Sequence, residues 1–297
     1  RHASRQRHTS RHRDAKPDKI SMAGARPVST SAAIYFLKHT DVISATAMSH
    51  DSSASVSVSA VTPAPFQAAI IDLDGTMIDT LGDFGVALNL VLAELALPPV
   101  LPADVERMVG KGSEHLVRST LAHVSPGLGA AGVEALFPAA MAAYQRHYLR
   151  INGQHSRVYD GVVEGLTALQ AMGLKLACLT NKPTAFARPL LAQKGLDGFF
   201  EVVFGGDAFE RKKPDPLPLL RTCEALGTLP ARTLMVGDSS NDAQAARGAG
   251  CPVVLVTYGY NHGQPVSAVD ADGTFDALTE VAAWLVSFSS TCPAKPL

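Results

Sequence analysis

No apolar run in the sequence approaches the roughly 20 residues that a membrane-spanning helix needs, so no helical span and no membrane partner are expected of it. Net charge is equally scarce. Twenty-six lysines and arginines stand against 27 acids, leaving a formal charge of -1. A chain so balanced is not, as a whole, a polyanion binder, and nucleic acid is not an expected partner. Cysteine is rare: Cys178, Cys223, Cys251 and Cys292 lie far apart in no paired motif. That spacing suggests neither a disulfide framework nor a zinc site and points to a reducing compartment, the cytoplasm. Cys178 and Cys251 lie in or beside apolar runs, as core residues do. Apolar residues are plentiful, at 46% against 18% charged, enough for a large core in one or two domains. Nothing in the sequence fixes an oligomeric state.

Residues 1–65 differ from the rest. Arg1, Arg5, Arg7, Arg11, Arg13, Lys16 and Lys19 face only Asp14 and Asp18 at the start, with few apolar residues between them. Such composition predicts disorder. An Arg- and Ser-rich, acid-poor start is similar to a transit peptide. A solvated tail, or translated sequence upstream of a start at Met22 or Met48, is the plainer expectation, and no function is assigned to this segment.

The folded part opens at Phe66. Ala68–Ile71 is a continuous apolar run that ends abruptly in acid and glycine, the pattern of a parallel strand buried on both faces. Asp72 and Asp74 follow, one residue apart, so on an extended chain they point to the same side. Two crowded carboxylates are costly unless a positive group joins them. A hard divalent cation is the natural candidate, and Mg²⁺ prefers a few oxygens together with substrate phosphate and water. Asp-Gly by itself is only a turn signal.

From Leu81 the periodicity becomes helical, with Leu88, Val91, Leu92 and Leu95 on one stripe before Pro98-Pro99. Further amphipathic stretches cover 103–109, 113–123 and 133–149, and no strand is evident between Leu81 and Ile151. Strand and helix then alternate. Helices are predicted over 161–172, 184–194, 216–226, 243–249 and 276–286, and strands over 174–179, 202–204, 233–236 and 253–256. This alternation predicts a doubly wound parallel sheet. Its polar segments follow the strands, where such folds place their sites: Thr180-Asn181-Lys182-Pro183, Arg211-Lys212-Lys213-Pro214 and Gly237-Asp238-Ser239-Ser240-Asn241-Asp242.

Asp72-Leu73-Asp74-Gly75-Thr76 after an apolar strand resembles the nucleophile motif of the haloacid dehalogenase superfamily, most of whose members are phosphatases. Four motifs in the expected order span residues 66 to about 262. Their detail is similar to the phosphoglycolate phosphatases: Thr180-Asn181-Lys182-Pro183, Phe204-Gly205-Gly206-Asp207 with Lys212-Lys213-Pro214, Gly237-Asp238-Ser239 with Asn241-Asp242, Thr257-Tyr258-Gly259-Tyr260-Asn261, and Val109-Gly110-Lys111-Gly112. Lys111 departs from the small polar residue expected there. The resemblance implies an α/β fold, a Rossmann-like doubly wound parallel sheet with a small all-helical cap domain inserted after the first strand. The expected division is a core of 66–82 and 154–288, a cap of 83–153 and a tail of 289–297.

The implied activity is Mg²⁺-dependent hydrolysis of 2-phosphoglycolate, a small phosphorylated metabolite, to glycolate and phosphate. A phosphate monoester repels nucleophiles, so a catalyst needs a nucleophile, a proton donor and positive charge. Spacing does not divide the labour between Asp72 and Asp74. The resemblance makes Asp72 the nucleophile that forms an aspartyl-phosphate and Asp74 the acid and base. Mg²⁺ would take the carboxylates of Asp72 and Asp238 and, by resemblance, the Asp74 backbone carbonyl, while Asp242 supports these ligands from behind. Asp238 and Asp242 also suit a helix N-terminus, and for Asn241 a place near the metal and a cap stand even. Thr180, through its hydroxyl, and Asn181, through its N–H, are candidates for phosphoryl oxygen, and Lys213 for the phosphate-facing cation. Lys111, His115 and Arg118 are the basic groups from which a substrate carboxylate contact is expected. His262, Tyr258 and Tyr260 are expected to pack the loop that carries them. Alternatives are a phosphatase or phosphomutase of another sugar phosphate, a metal-independent dehalogenase, and a binding module made of the basic tail.

Overall fold

The computed structural model describes residues 66–290. The expectations for residues 1–65, for Cys292 and for 291–297 lie outside them. The elements run β1 (Ala68–Ile71), β2 (Ile78–Asp79), α1 (Leu81–Glu94), α2 (Pro102–Met108), α3 (Ser113–Val124), α4 (Gly129–Ile151), β3 (Arg157–Val158), α5 (Val162–Ala171), β4 (Lys175–Leu179), α6 (Thr184–Gln193), β5 (Val202–Phe204), α7 (Leu217–Leu226), β6 (Thr233–Gly237), α8 (Ser240–Ala249), β7 (Val253–Val256), β8 (Gly273–Phe275) and α9 (Leu278–Ser290).

Six strands form one parallel sheet in the order β5-β4-β1-β6-β7-β8. The apolar run of β1 lies at its centre, with Ile71 opposite Cys178 of β4 on one side and Val236 of β6 on the other. Alternate residues of β1 serve opposite layers. Ala69 and Ile71 join a core with Leu166 of α5, Leu190 of α6 and Val281 of α9, while Ala68 and Ile70 join one with Leu219 of α7 and Ala246 of α8. All four β1 side chains are fully buried, which is why the segment reads as uninterrupted apolar sequence. From β1 the chain builds outward to β4 and β5, then crosses to β6 and builds the other way. The strand order therefore reverses between β1 and β6, and the crevice at the carboxyl ends there is where such sheets bind ligands.

Helices α1–α4 lie between β2 and β3 and enclose a core of their own, including Phe84, Leu88, Leu116, Tyr144 and Tyr148. The base of this helical insert is closed twice. The strands β2 and β3 pair antiparallel, Ile78 with Val158 and Asp79 with Arg157, and the buried Asp83 carboxylate accepts the Gly153 and His155 N–H groups, each at 2.7 Å.

Three strands escape the sequence pattern. The two-residue β2 and β3 are too short for any period, and Gly-Thr-Phe in β8 has no apolar run. The helix expected from Ala243 begins at Ser240, because Ser239 and Asp242 form a reciprocal capping box. The helix expected over 133–149 spans Gly129–Ile151, and the last one spans Leu278–Ser290. No helix among the described residues is long and apolar enough to cross a membrane.

Candidate active site

The strand tips on either side of the reversal carry the polar residues that the sequence singles out. Asp72 continues β1, its N–H donating to Val236 O at 3.0 Å. A tight turn follows, with Gly75 N–H donating to Ile78 O at 2.9 Å. Gly75 has φ +84°, and a Cβ there would overlap a carboxylate oxygen of Asp238. The glycine thus lets the turn after β1 pass directly over the tip of β6.

At that tip, Asp238 is buried with its carboxylate accepting Tyr260 N–H at 2.6 Å and the Thr76 hydroxyl at 3.4 Å. Ser239, not Asp238, caps α8. Asp242 Oδ2 accepts the Ser239 hydroxyl at 2.8 Å and Ser239 N–H at 3.2 Å, and its Oδ1 accepts Lys213 Nζ at 2.7 Å. Both Asp242 oxygens are therefore taken by protein donors. Asn241 does not cap the helix through its amide, which meets Gly110 O at 3.2 Å and His262 Nε2 at 3.1 Å.

Asp72, Asp238 and Asp242 each place a carboxylate oxygen within 4.8 Å of the others, all three buried. One ammonium faces them. Lys213 Nζ lies 2.9 Å from Asp72 Oδ1, 2.7 Å from Asp242 Oδ1 and 2.8 Å from Leu179 O. Its contact with Asp72 is an ion pair without hydrogen-bond geometry, so Asp72 Oδ1 is a buried oxygen with no hydrogen-bond donor. Burial pushes the Asp72 carboxyl up to about 7; Lys213 pulls against it and Asp242 adds to it. Burial likewise holds Asp238 well above the usual carboxylate range, reinforced by Asp242 and Asp72. Burial pulls Lys213 down, but Asp242 and Asp72 outweigh it and keep the ammonium charged. Three carboxylates against one ammonium leave an excess of negative charge. This hard-oxygen donor set, with an oxygen to spare on Asp72, fits a divalent cation such as Mg²⁺.

Asp72 and Asp74 also face a narrow cavity of about 30 Å³, as their spacing predicts. Thr180, Asn181 and Lys182 line it from the tip of β4, and Phe84, Val109, Gly110, Gly112, Ser113 and Leu116 from the helical insert. Thr180 is held by Phe204 O, which accepts its N–H at 3.0 Å, and its hydroxyl accepts Lys182 N–H at 3.2 Å. Asn181 spends its amide on Gly110 O and Lys213 O, at 2.9 and 2.8 Å, tying the insert's loop to the lysine loop.

Lys111, His115 and Arg118 are not among the cavity's lining residues. Lys111 and His115 are exposed. Arg118 lies over the Phe137 ring and pairs with Glu134 at 2.9 Å and Glu114 at 3.6 Å. Tyr258 donates to Thr76 O at 2.8 Å and Tyr260 to Asp79 Oδ1 at 2.6 Å, bracing the turn after β1. What the sequence did not single out is Lys182. Its ammonium donates to Asp74 Oδ1 at 3.0 Å and to the Tyr148 hydroxyl at 2.6 Å. Lys182 stands in the Thr-Asn-Lys-Pro segment that carries the family resemblance, but no local pattern gives it a partner.

A family model described as haloacid dehalogenase-like hydrolase matches residues 66–250. The chain is 47% identical over 220 residues to a phosphoglycolate phosphatase of Thiobacillus denitrificans, covering 74% of this chain and 96% of the relative. It is 44% identical over 218 residues to one of Nitrosospira multiformis, covering 73% and 95%. Among solved structures, a predicted phosphoglycolate phosphatase from Haemophilus somnus superposes with a TM-score of 0.71 at 33% identity, over 74% of this chain and 98% of the other. CbbY from Rhodobacter sphaeroides, in complex with phosphate, shares the fold with a TM-score of 0.60 at 21% identity, over 73% of this chain and 96% of the other.

Proposed function

The chain belongs to the haloacid dehalogenase-like hydrolases and is a phosphoric monoester hydrolase like its phosphoglycolate phosphatase relatives; from that premise we propose that it converts 2-phosphoglycolate to glycolate and phosphate, in the cytoplasm, through an aspartyl-phosphate on Asp72. The reading rests above all on one observation. The Asp72 carboxylate shares a cavity with Asp74 and a buried cluster with Lys213 and Asp238. In this reading a bare Asp72 oxygen attacks phosphorus, and the ester P–O bond breaks as Asp74 gives its proton to the leaving glycolate oxygen. Asp74 then takes a proton from a water, which attacks the acyl-phosphate and frees Asp72 and phosphate.

Thr180, through its hydroxyl, and Asn181, through its N–H, hold the phosphoryl oxygens in place. Lys213 keeps positive charge beside Asp72 as the phosphoryl group arrives, and Asp242 keeps Lys213 there. Asp72, Asp238 and the Asp74 backbone carbonyl would hold Mg²⁺. When bound, the ion supplies positive charge that balances the clustered acids and the phosphoryl oxygens.

Helices α1–α4 act as the cap on a core of residues 66–82 and 154–288. About 10–15 Å³ of such space holds one water, so the cavity between cap and core takes about two waters. Substrate entry therefore needs the cap to lift and rebinding of the cap to exclude water.

A substrate screen tests this. Phosphate release from 2-phosphoglycolate should exceed that from sugar phosphates, fall by about 100-fold or more in EDTA and return with Mg²⁺. Faster release from a sugar phosphate would move the substrate assignment, and turnover that survives EDTA would remove the metal from it.

A further inference from the structure

A substrate that carries a carboxylate beside its phosphate needs a second cation, and the lysine at the centre of the reacting cluster is already committed. Lys213 donates to Asp242 at 2.7 Å and to Leu179 O at 2.8 Å and forms an ion pair with Asp72 at 2.9 Å, so its charge already faces two carboxylates. Lys111 and His115 are exposed and outside the cavity lining, and Arg118 is paired with two glutamates. Lys182 is placed differently. It lines the cavity with Asp72, Asp74 and Thr180, and its side chain is only 2% exposed. Its ammonium donates to the Asp74 carboxylate, 3.0 and 3.4 Å from the two oxygens, and to the Tyr148 hydroxyl at 2.6 Å. Among the described residues these two groups are its acceptors, and because one N–H can serve both oxygens of a carboxylate, another is left for a ligand.

The surroundings favour an anion at that ammonium. Lys182 Nζ lies 4.5 Å from the centre of the Phe84 ring and 4.7 Å from that of Tyr148, which stack on each other at 5.6 Å. Ring faces keep water from the ammonium while still favouring its charge. A cation stripped of water attracts an anion more strongly than one in solvent. Lys182 comes from the loop after β4, whereas Phe84 and Tyr148 come from α1 and α4 of the insert, so core and insert complete this pocket together.

We propose that Lys182, held by Tyr148 and Phe84, is the specificity-determining residue that binds the carboxylate of the substrate. The site thereby selects phosphate monoesters of short hydroxy acids over neutral ones of the same size. This rests on the phosphatase reading above and deepens it. It moves the carboxylate contact from the basic groups on the insert's outer face to a buried lysine of the core. The anion shares the ammonium with Asp74, which ties recognition of the acid tail to the position of the group beside the ester oxygen.

The experiment compares 2-phosphoglycolate with 2-phosphoglycolamide, its neutral isostere, in the Mg²⁺-supplemented full chain. The wild type should prefer the acid. In Lys182→Met the ratio of the two kcat/KM values should fall by about 30- to 100-fold, mostly through KM for the acid, as expected for loss of a charge-assisted hydrogen bond. Lys182→Arg, which keeps the charge, should retain most of the preference. Tyr148→Phe, which keeps the ring and loses the hydroxyl, should lower the ratio by about threefold to tenfold, and it decides the matter should Lys182→Met not fold. Equal losses on both substrates, with the ratio unchanged, would overturn the proposal and leave Lys182 as a support for Asp74. A wild type indifferent to the carboxylate would overturn it while the phosphatase reading stood. A wild type that hydrolysed neither ester would bring down both.

Discussion

Strand tips and helical insert meet at the same cavity with opposite chemistry. The sheet side contributes Asp72, Asp74, Thr180, Asn181 and Lys182, while the insert contributes Phe84, Val109, Leu116, two glycines and the single hydroxyl of Ser113. The sheet side is charged and fixed: Asp72 and Thr180 each extend a parallel ladder by one backbone hydrogen bond. Charge that must be aimed to within a fraction of an ångström belongs on such elements. The insert wall is mostly apolar, a surface that displaces water from those charges and strengthens each of their interactions. Chemistry on one wall and exclusion on the other predicts very unequal responses to substitution.

Asp72→Asn should give the largest response. It keeps the shape of the side chain but removes the nucleophile, and the loss of kcat should be about 10⁴-fold or more, as for other nucleophile deletions. Far-UV circular dichroism should be unchanged. Rates of phosphate release near those of the wild type would remove Asp72 from the chemistry and erase the contrast between the walls. Lys213→Ala comes next. It leaves Asp72 and Asp242 facing each other without their shared ammonium, and kcat should fall by about 10² to 10³-fold. Breaking a buried pair from one side should also cost about 3–5 kcal/mol of stability, read by urea denaturation. Stability lost with kcat intact would make Lys213 a structural residue only.

The two walls also differ in how far the sequence discloses them. Asp72 and Asp74 follow an apolar run whose meaning is unambiguous, and a period of two puts both on one side, as found. Asp238 and Lys213 are recognisable because strand and loop punctuation brackets them, and the family resemblance orders them. Nothing comparable marks the insert. Tyr148 sits in a helical stretch where an aromatic is ordinary core, and its hydroxyl matters only because α4 carries it to Lys182 across 34 residues of sequence. The same long-range pairing hides Lys182 itself. Conversely, His115 and Arg118 attract notice as basic groups near a glycine loop, yet the helix that bears them turns Leu116 to the cavity instead. Strand tips are legible because their side-chain direction is local; a helical face is legible only once its neighbours are known.

Arg118→Ala should therefore give the smallest effect of all. Arg118 looks like a substrate ligand by charge and position, but its guanidinium covers Phe137 and divides itself between Glu114 and Glu134 on the outer surface of the insert. Exposed pairs of this kind contribute about 0–1 kcal/mol, and stacking on the half-buried Phe137 ring adds about 0.5–1 kcal/mol. The variant should lose no more than about 1–2 kcal/mol of stability by the same reckoning, while kcat/KM for 2-phosphoglycolate stays within about twofold, the range of a surface change remote from the chemistry. A tenfold rise in KM without loss of stability would instead draw Arg118 into the substrate's reach. That result would require the insert to close further than the arrangement described, carrying α3 inward until its basic edge replaced the apolar one. The contrast between a charged sheet wall and an apolar insert wall would then belong to the arrangement without substrate only, and Lys182 would share the carboxylate with a second cation.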